Sequence, residues 1–133
     1  MEDPYREAGV VDTDILIDFA RGVAQAGNFL QEQAHRGRIL VSVVSAMELV
    51  AGCRDSMQLH AVQEFLANLH ILPLTPVSSR RALSLMEQYF LSHGLLLADA
   101  MIAATAIEYS VPLYTKNVRH FYVIHDLVVI RPY

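Results

Sequence analysis

The sequence predicts a single three-layer α/β/α domain built on a central parallel sheet of about five strands, and three observations carry that expectation. At 133 residues the chain has the length of one domain, enough to bury roughly 65 to 70% of the surface its unfolded form exposes. Its apolar residues fall in short continuous runs separated by stretches of helical period, the pattern of strands covered on both faces. Hydrophobic residues make up 53% of the chain and charged ones 18%, which excludes a disordered chain and a charged coiled coil. No internal repeat or linker interrupts the pattern, so one domain over residues 1–133 is expected, with residues 1–8 as a flexible N-terminal segment.

In order, Gly9-Val10-Val11 reads as a first strand, Asp12-Thr13-Asp14 as an acidic turn, and Ile15, Leu16 and Phe19 as the apolar side of a helix that stops at Arg21-Gly22. A second helix is expected from about Val23 to His35, closed by Arg36-Gly37-Arg38. Ile39 to Ser42 makes a second strand, followed by a helix from Val43 that ends at Gly52. Asp55-Ser56 caps another helix with an apolar stripe of Leu59, Val62, Leu66 and Leu69. His70 to Leu74 is a third strand whose Pro73 suggests an edge. Thr75-Pro76 starts a helix with Ala82, Leu85, Met86, Tyr89 and Phe90 on one face, and Gly94 ends it. Leu95 to Ala106 is an Ala-rich helix, Val111 to Thr115 a fourth strand, Lys116 to His120 a polar turn, and Leu127 to Ile130 a last strand.

The net charge of −4 argues against a domain that coats nucleic acid electrostatically, though not against a nuclease whose metal ions bridge acidic side chains to phosphate. A single cysteine, Cys53, leaves no disulfide within the chain and fits a reducing compartment. The acidic N-terminus lacks the regions of a signal peptide, and no apolar run approaches the roughly 20 residues that span a bilayer. A soluble cytoplasmic protein is expected.

Asp99 is out of place in its helix. The apolar residues there run nearly all the way round, and an unpaired buried carboxylate costs several kcal/mol or protonates. Ala103 and Ala106 share its face, and their small size is expected to leave room beside it. Glu48 poses the same question, because its helix is apolar except for a narrow stripe of Ser45, Glu48 and Gly52. Ligands of such sheets bind outside the carboxyl ends of the strands, where Asp12 leaves the first strand and Thr115, Lys116 and Asn117 leave the fourth. Several acids aimed at one crevice repel unless a cation joins them, and hard oxygen donors without a Cys/His set select Mg²⁺ or Mn²⁺. Each acid also has a plainer reading: Asp12 as an N-cap, Asp14 as a first-turn helix charge, Glu48 as a semi-exposed surface acid, Asp99 as a cap of its own helix.

The stretches Val11 to Asp18, Ser42 to Gly52, Leu97 to Ala106 and Tyr114 to Phe121 resemble, in order, the four signature segments of PIN domains, most of all the VapC-type ribonuclease toxins of prokaryotic toxin–antitoxin pairs. The resemblance implies a PIN-like fold and a Mg²⁺- or Mn²⁺-dependent endoribonuclease. It also implies a homodimer, silenced by an antitoxin whose C-terminal segment lies over the active site. By that likeness Asp12, Glu48 and Asp99 are the metal-binding acids. The family often carries a fourth acid at a position matching Asn117 or a few residues on, near His120; here both positions lack one. Asn117 is left to ligate through its carbonyl oxygen, so one ion is expected to bind firmly and a second weakly or only with substrate. Thr13, Asp14, Ser45 and Thr115 are supporting candidates. Lys116 and Arg119 are the cations nearest the site for RNA phosphates, ahead of Arg36, Arg38, Arg80 and Arg81. The scattered histidines show no zinc spacing and read as surface or core-edge residues. Two rival functions stand: a haloacid-dehalogenase-like phosphatase with Asp12 as nucleophile and Asp14 as general acid, and a catalytically weak domain that only binds RNA or an antitoxin.

Overall fold

The computed structural model describes residues 8–133; the expected flexible segment lies, for residues 1–7, outside the described residues. The elements run β1 (Val10–Val11), α1 (Thr13–Ala20), α2 (Ala24–His35), β2 (Leu40–Ser42), α3 (Val43–Ala51), α4 (Ser56–Leu66), β3 (His70–Leu72), α5 (Pro76–His93), α6 (Leu97–Glu108), β4 (Leu113–Tyr114), α7 (Val118–Phe121) and β5 (Val129–Ile130). All strand pairs are parallel, in the order β3-β2-β1-β4-β5. The expected α/β sheet of five strands is therefore present, with β3 at an edge and Pro73 directly after it.

Successive strand residues point to opposite faces of the sheet, so even these short strands feed two cores. Val10 and Leu113 enter one core with α5 and α6, while Val11, Val41 and Tyr114 enter the other with α1 and α2. β1 and β4 lie close enough that Gly9 is required: a Cβ there would stand 2.6 Å from the Tyr114 ring and 2.8 Å from the Pro112 carbonyl. The chain moves outward from β1 in both directions, to β2 and to β4, so the crevice where a ligand finds open backbone ends lies between the carboxyl ends of β1 and β4.

The helix signals act locally. Thr75 and Ser78 form a reciprocal capping box with Pro76 in the first turn, and Gly94 takes a left-handed φ of 64° to end α5. On α5, Ala82 and Leu85 are buried and Met86 and Tyr89 half-buried, but Phe90 is 53% exposed. It sits one helical step past Tyr89, which turns it off the packed face. The stripe on α4 is only half-buried, and no residue of that helix is fully covered.

The Ala-rich helix α6 is the central packing element. Ala100, Ile102, Ala103, Ala104 and Ala106 are all buried in the core that also holds Val10 and Leu113. This corrects the expectation that Ala103 and Ala106 leave space beside Asp99. Their missing bulk lets α6 approach the core closely, and no room remains there for a ligand.

Candidate active site

Asp12 follows β1 and caps α1, with extended backbone angles of −69° and 156°. Its Oδ1 accepts the Thr13 N–H at 2.8 Å and its Oδ2 accepts the Thr115 hydroxyl at 2.7 Å. The plainer N-cap role is thus real, yet it uses one oxygen only; the other is held from β4, 103 residues away in sequence. Asp12 is 5% exposed. Burial first, and then the neighbouring Asp14 charge, raise its pKa from 3.8 to about 7 against the two hydrogen bonds.

Asp14 turns out to be more than a first-turn charge. Its Oδ2 accepts the Lys116 N–H at 2.9 Å and lies 3.4 Å from the Thr115 hydroxyl, while its Oδ1 is buried without a hydrogen-bond partner. Burial pushes its pKa up, opposed chiefly by the Lys116 N–H. Thr115 is the hub: fully buried, it donates to Asp12 and accepts the Asn117 N–H at 3.0 Å.

On the other side, the Thr13 hydroxyl lies 2.7 Å from Glu48 Oε1 and 2.8 Å from Ser45 Oγ. With one proton to give, it donates to the carboxylate and accepts from the fully buried Ser45. Glu48 itself is exposed, which corrects its reading as a second buried acid. Helix α3 presents Met47 and Val50 to solvent as well, so its apolar composition overstates its burial.

Asp99 lies in the first turn of α6 but does not cap it, because the N-cap is Leu96 and no side chain fills that role. Its Oδ2 is buried and takes no well-formed hydrogen bond; its partner is the Nδ1 of His120, an ion-pair contact at 3.4 Å. Burial raises the Asp99 pKa, the nearby His120 lowers it, and Glu48 and Asp14 raise it further. The charges of Asp12, Asp14, Glu48 and Asp99 are thus felt at one another across the crevice. His120, read from the sequence as a surface or core-edge residue, is exposed, and the short helix α7 brings its ring beside Asp99.

Asn117 is exposed at the N-cap of α7 with no side-chain cap bond, so its amide is free to reach a ligand. Arg119 is exposed. Lys116 is already engaged: its Nζ lies 2.6 Å from Asp18 Oδ2, which also accepts the Tyr133 hydroxyl at 2.7 Å. A phosphate would have to compete for it.

The donor set suits a hard divalent cation in kind. It is all oxygen, and two of those oxygens, on Asp14 and Asp99, are buried without a hydrogen bond, the second facing the His120 ring. Among the described residues, however, no three His, Cys, Asp or Glu side chains form a group that would hold an ion as they stand. Ligation therefore needs side-chain rotation, for which the exposed Glu48 has the freedom.

The chain as a whole is similar to known proteins. The chain is 40% identical over 113 residues to ribonuclease VapC10 of Mycobacterium tuberculosis, covering 84% of each. It is 37% identical to ribonuclease VapC19 of the same organism, over 89% of this chain and 95% of that one. Its fold matches a toxin–antitoxin complex from Klebsiella pneumoniae with a TM-score of 0.78 and 29% identity, over 94% of this chain and 98% of that one. These similarities are to ribonucleases and toxin–antitoxin proteins, not to the phosphatase alternative built on Asp12 and Asp14. The model of the PIN domain matches residues 9–126, from the glycine before β1 to the turn before β5, and the chain belongs to the PIN domain family.

Proposed function

We propose that this chain is an endoribonuclease of the VapC kind, the toxin of a toxin–antitoxin pair, working with Mg²⁺ or Mn²⁺ in the cytoplasm. The observation that carries the reading is the crevice at the ends of β1 and β4. There Asp12, Asp14, Glu48 and Asp99 face one another with two unbonded buried oxygens, in a chain 40% identical to a ribonuclease. Asp12, Glu48 and Asp99 would hold the cation, with Asn117 offering a neutral oxygen. A bound divalent ion would offset phosphate charge and make a water more acidic. The chain's own residues do the positioning: Thr115 fixes Asp12, Thr13 with Ser45 steers Glu48, and the Lys116 N–H orients Asp14. Arg119, exposed beside the site, is the cation free to meet an RNA phosphate. The partners are an RNA substrate, a cognate antitoxin and a second copy of the chain. No described helix is long and apolar enough to cross a membrane.

The test is to incubate the purified chain and its Asp99→Asn variant with structured and unstructured RNAs and Mg²⁺ or Mn²⁺. Cleavage by the wild type, lost in a variant of equal or higher melting temperature, is expected. Equal cutting by both would assign the activity to a contaminant and overturn the reading. Binding of RNA without metal-dependent cleavage would leave only a binding domain.

A further inference from the structure

The turn between β4 and α7 is fastened by residues beyond the 9–126 span of the PIN match. Thr115 N–H donates to the Ile130 carbonyl at 3.0 Å, and Arg131 donates to the Lys116 carbonyl at 3.2 Å. The Lys116 ammonium is caught between Asp18, at 2.6 Å, and the ring of Tyr133, whose centroid lies 5.7 Å away. Tyr133 completes the clasp by donating its hydroxyl to the same Asp18 oxygen. Only the Lys116 N–H faces inward, and it holds Asp14 Oδ2, leaving Oδ1 unbonded at the crevice.

We propose that Tyr133 and Lys116 are positioning residues for Asp14: the clasp of Asp18, Lys116 and Tyr133 sets the turn whose N–H aims the Asp14 carboxylate into the crevice, and Lys116 does not serve as a phosphate contact. The inference rests on the reading of that crevice as a metal site. Asp18 takes one of the three N–H donors of the ammonium and the Tyr133 ring lies against it, which fixes its position. A lysine kept for phosphate would stand free, as Arg119 does. Asp14 stands beside the acids that would hold the cation, and groups that orient such a supporting carboxylate are felt in metal affinity before they are felt in substrate binding.

The experiment titrates Mn²⁺ alone into the metal-free full chain by calorimetry, and separately measures binding of a fluorescent single-stranded RNA in EDTA. Tyr133→Leu and Tyr133→Phe change no charge, so they report geometry and not field. Tyr133→Leu is expected to raise the Mn²⁺ Kd about 3- to 10-fold, and Tyr133→Phe, which keeps the ring over Lys116, by less. RNA affinity in EDTA should stay as in the wild type for both and for Lys116→Met. Lys116→Arg, which can still pair with Asp18, should keep the wild-type Mn²⁺ Kd. An unchanged Mn²⁺ Kd in Tyr133→Leu overturns the inference while the metal reading stands; should that variant not fold, an unchanged Kd in Tyr133→Phe does the same. Weaker RNA binding by Lys116→Met makes Lys116 a phosphate contact and overturns it as well. A wild type that binds no Mn²⁺ overturns both this inference and the metal reading, a result distinct from the others.

Discussion

On the β1/β4 side of the crevice both oxygens of Asp12 are bonded, one to the N–H it caps and one to Thr115. On the α3/α6 side Asp99 Oδ2 is buried with no hydrogen bond and Glu48 is exposed with one. The first wall is made of the same contacts that build the fold: an N-cap, and the register that sets Val11 opposite Tyr114 and so brings Thr115 beside Asp12. The second wall hangs on two helices, where the carboxylates meet only the Thr13 hydroxyl, at Glu48 Oε1, and the His120 ring, at Asp99 Oδ2. The first wall is preorganised apart from Asp14 Oδ1, and the second keeps more of its oxygens open for a cation or substrate.

The sharpest way to break this contrast is pH. Asp12 has a folded pKa of about 7 against 3.8 for the free side chain. Across that window the folded chain keeps a proton that the unfolded chain has released, so metal-free stability falls as pH rises and levels off above about 7. The loss is at most about 4 kcal/mol from this group. Asp14 and Asp99 are shifted up as well and act with the same sign. Asp18, lowered by Lys116 and Tyr133, acts below 3.8 and outside the window. Urea unfolding in EDTA at pH 5 and pH 8 should show lower stability at pH 8, and Asp12→Asn should flatten the difference. Stability that rises between these values would mean that Asp12 is as open as Glu48.

Next in size is the hub. Thr115→Val keeps the shape but strips a bond from Asp12 Oδ2 and an acceptor from the Asn117 N–H, at a cost of about 2 to 3 kcal/mol in denaturant unfolding at pH 8. Ser45→Ala on the opposite wall leaves Thr13 its bond to Glu48 and should cost about 1 kcal/mol or less. Equal costs would erase the distinction between the walls. Asp99→Asn goes the other way. Removing a buried carboxylate that faces Glu48 and Asp14 should stabilise the metal-free protein by about 1 kcal/mol, read as a melting temperature higher by about 3 to 5 °C. A clear drop would show that the His120 contact holds α6 in place.

These two walls also divide what sequence reading could reach. Val10–Val11 before Asp12, the Thr75-Pro76 start and the Gly94 stop are local signals, and the fold follows them. Asp12 was legible because a strand end and an N-cap coincide in four residues. Its bond to Thr115 depends on β1 pairing with β4, a long-range register with no local mark. Glu48 was misjudged because composition reports how apolar a helix is, not how much of it is covered; Met47 and Val50 beside it are exposed too. Ala103 and Ala106 show the converse, small residues chosen for close helix packing and not for a ligand. The PIN resemblance marked His120 only as a place without the expected acid; its contact with Asp99 and the Tyr133 bond have no signal, since a four-residue helix and a tail bond have no period to detect.

The smallest effect is the most discriminating. Glu48→Gln keeps an oxygen for the Thr13 hydroxyl, at 2.7 Å from Oε1 now, and the side chain is exposed, so the metal-free stability should move by less than about 0.5 kcal/mol. Its effect on Mn²⁺ binding should nevertheless be large, because it removes one of the three carboxylates that would hold the ion. A residue that costs nothing to the fold and much to the cation is what an open wall predicts. If Glu48→Gln instead lowers the unfolding midpoint as Thr115→Val does, the Thr13–Ser45–Glu48 chain is structural, and both walls are preorganised by the fold.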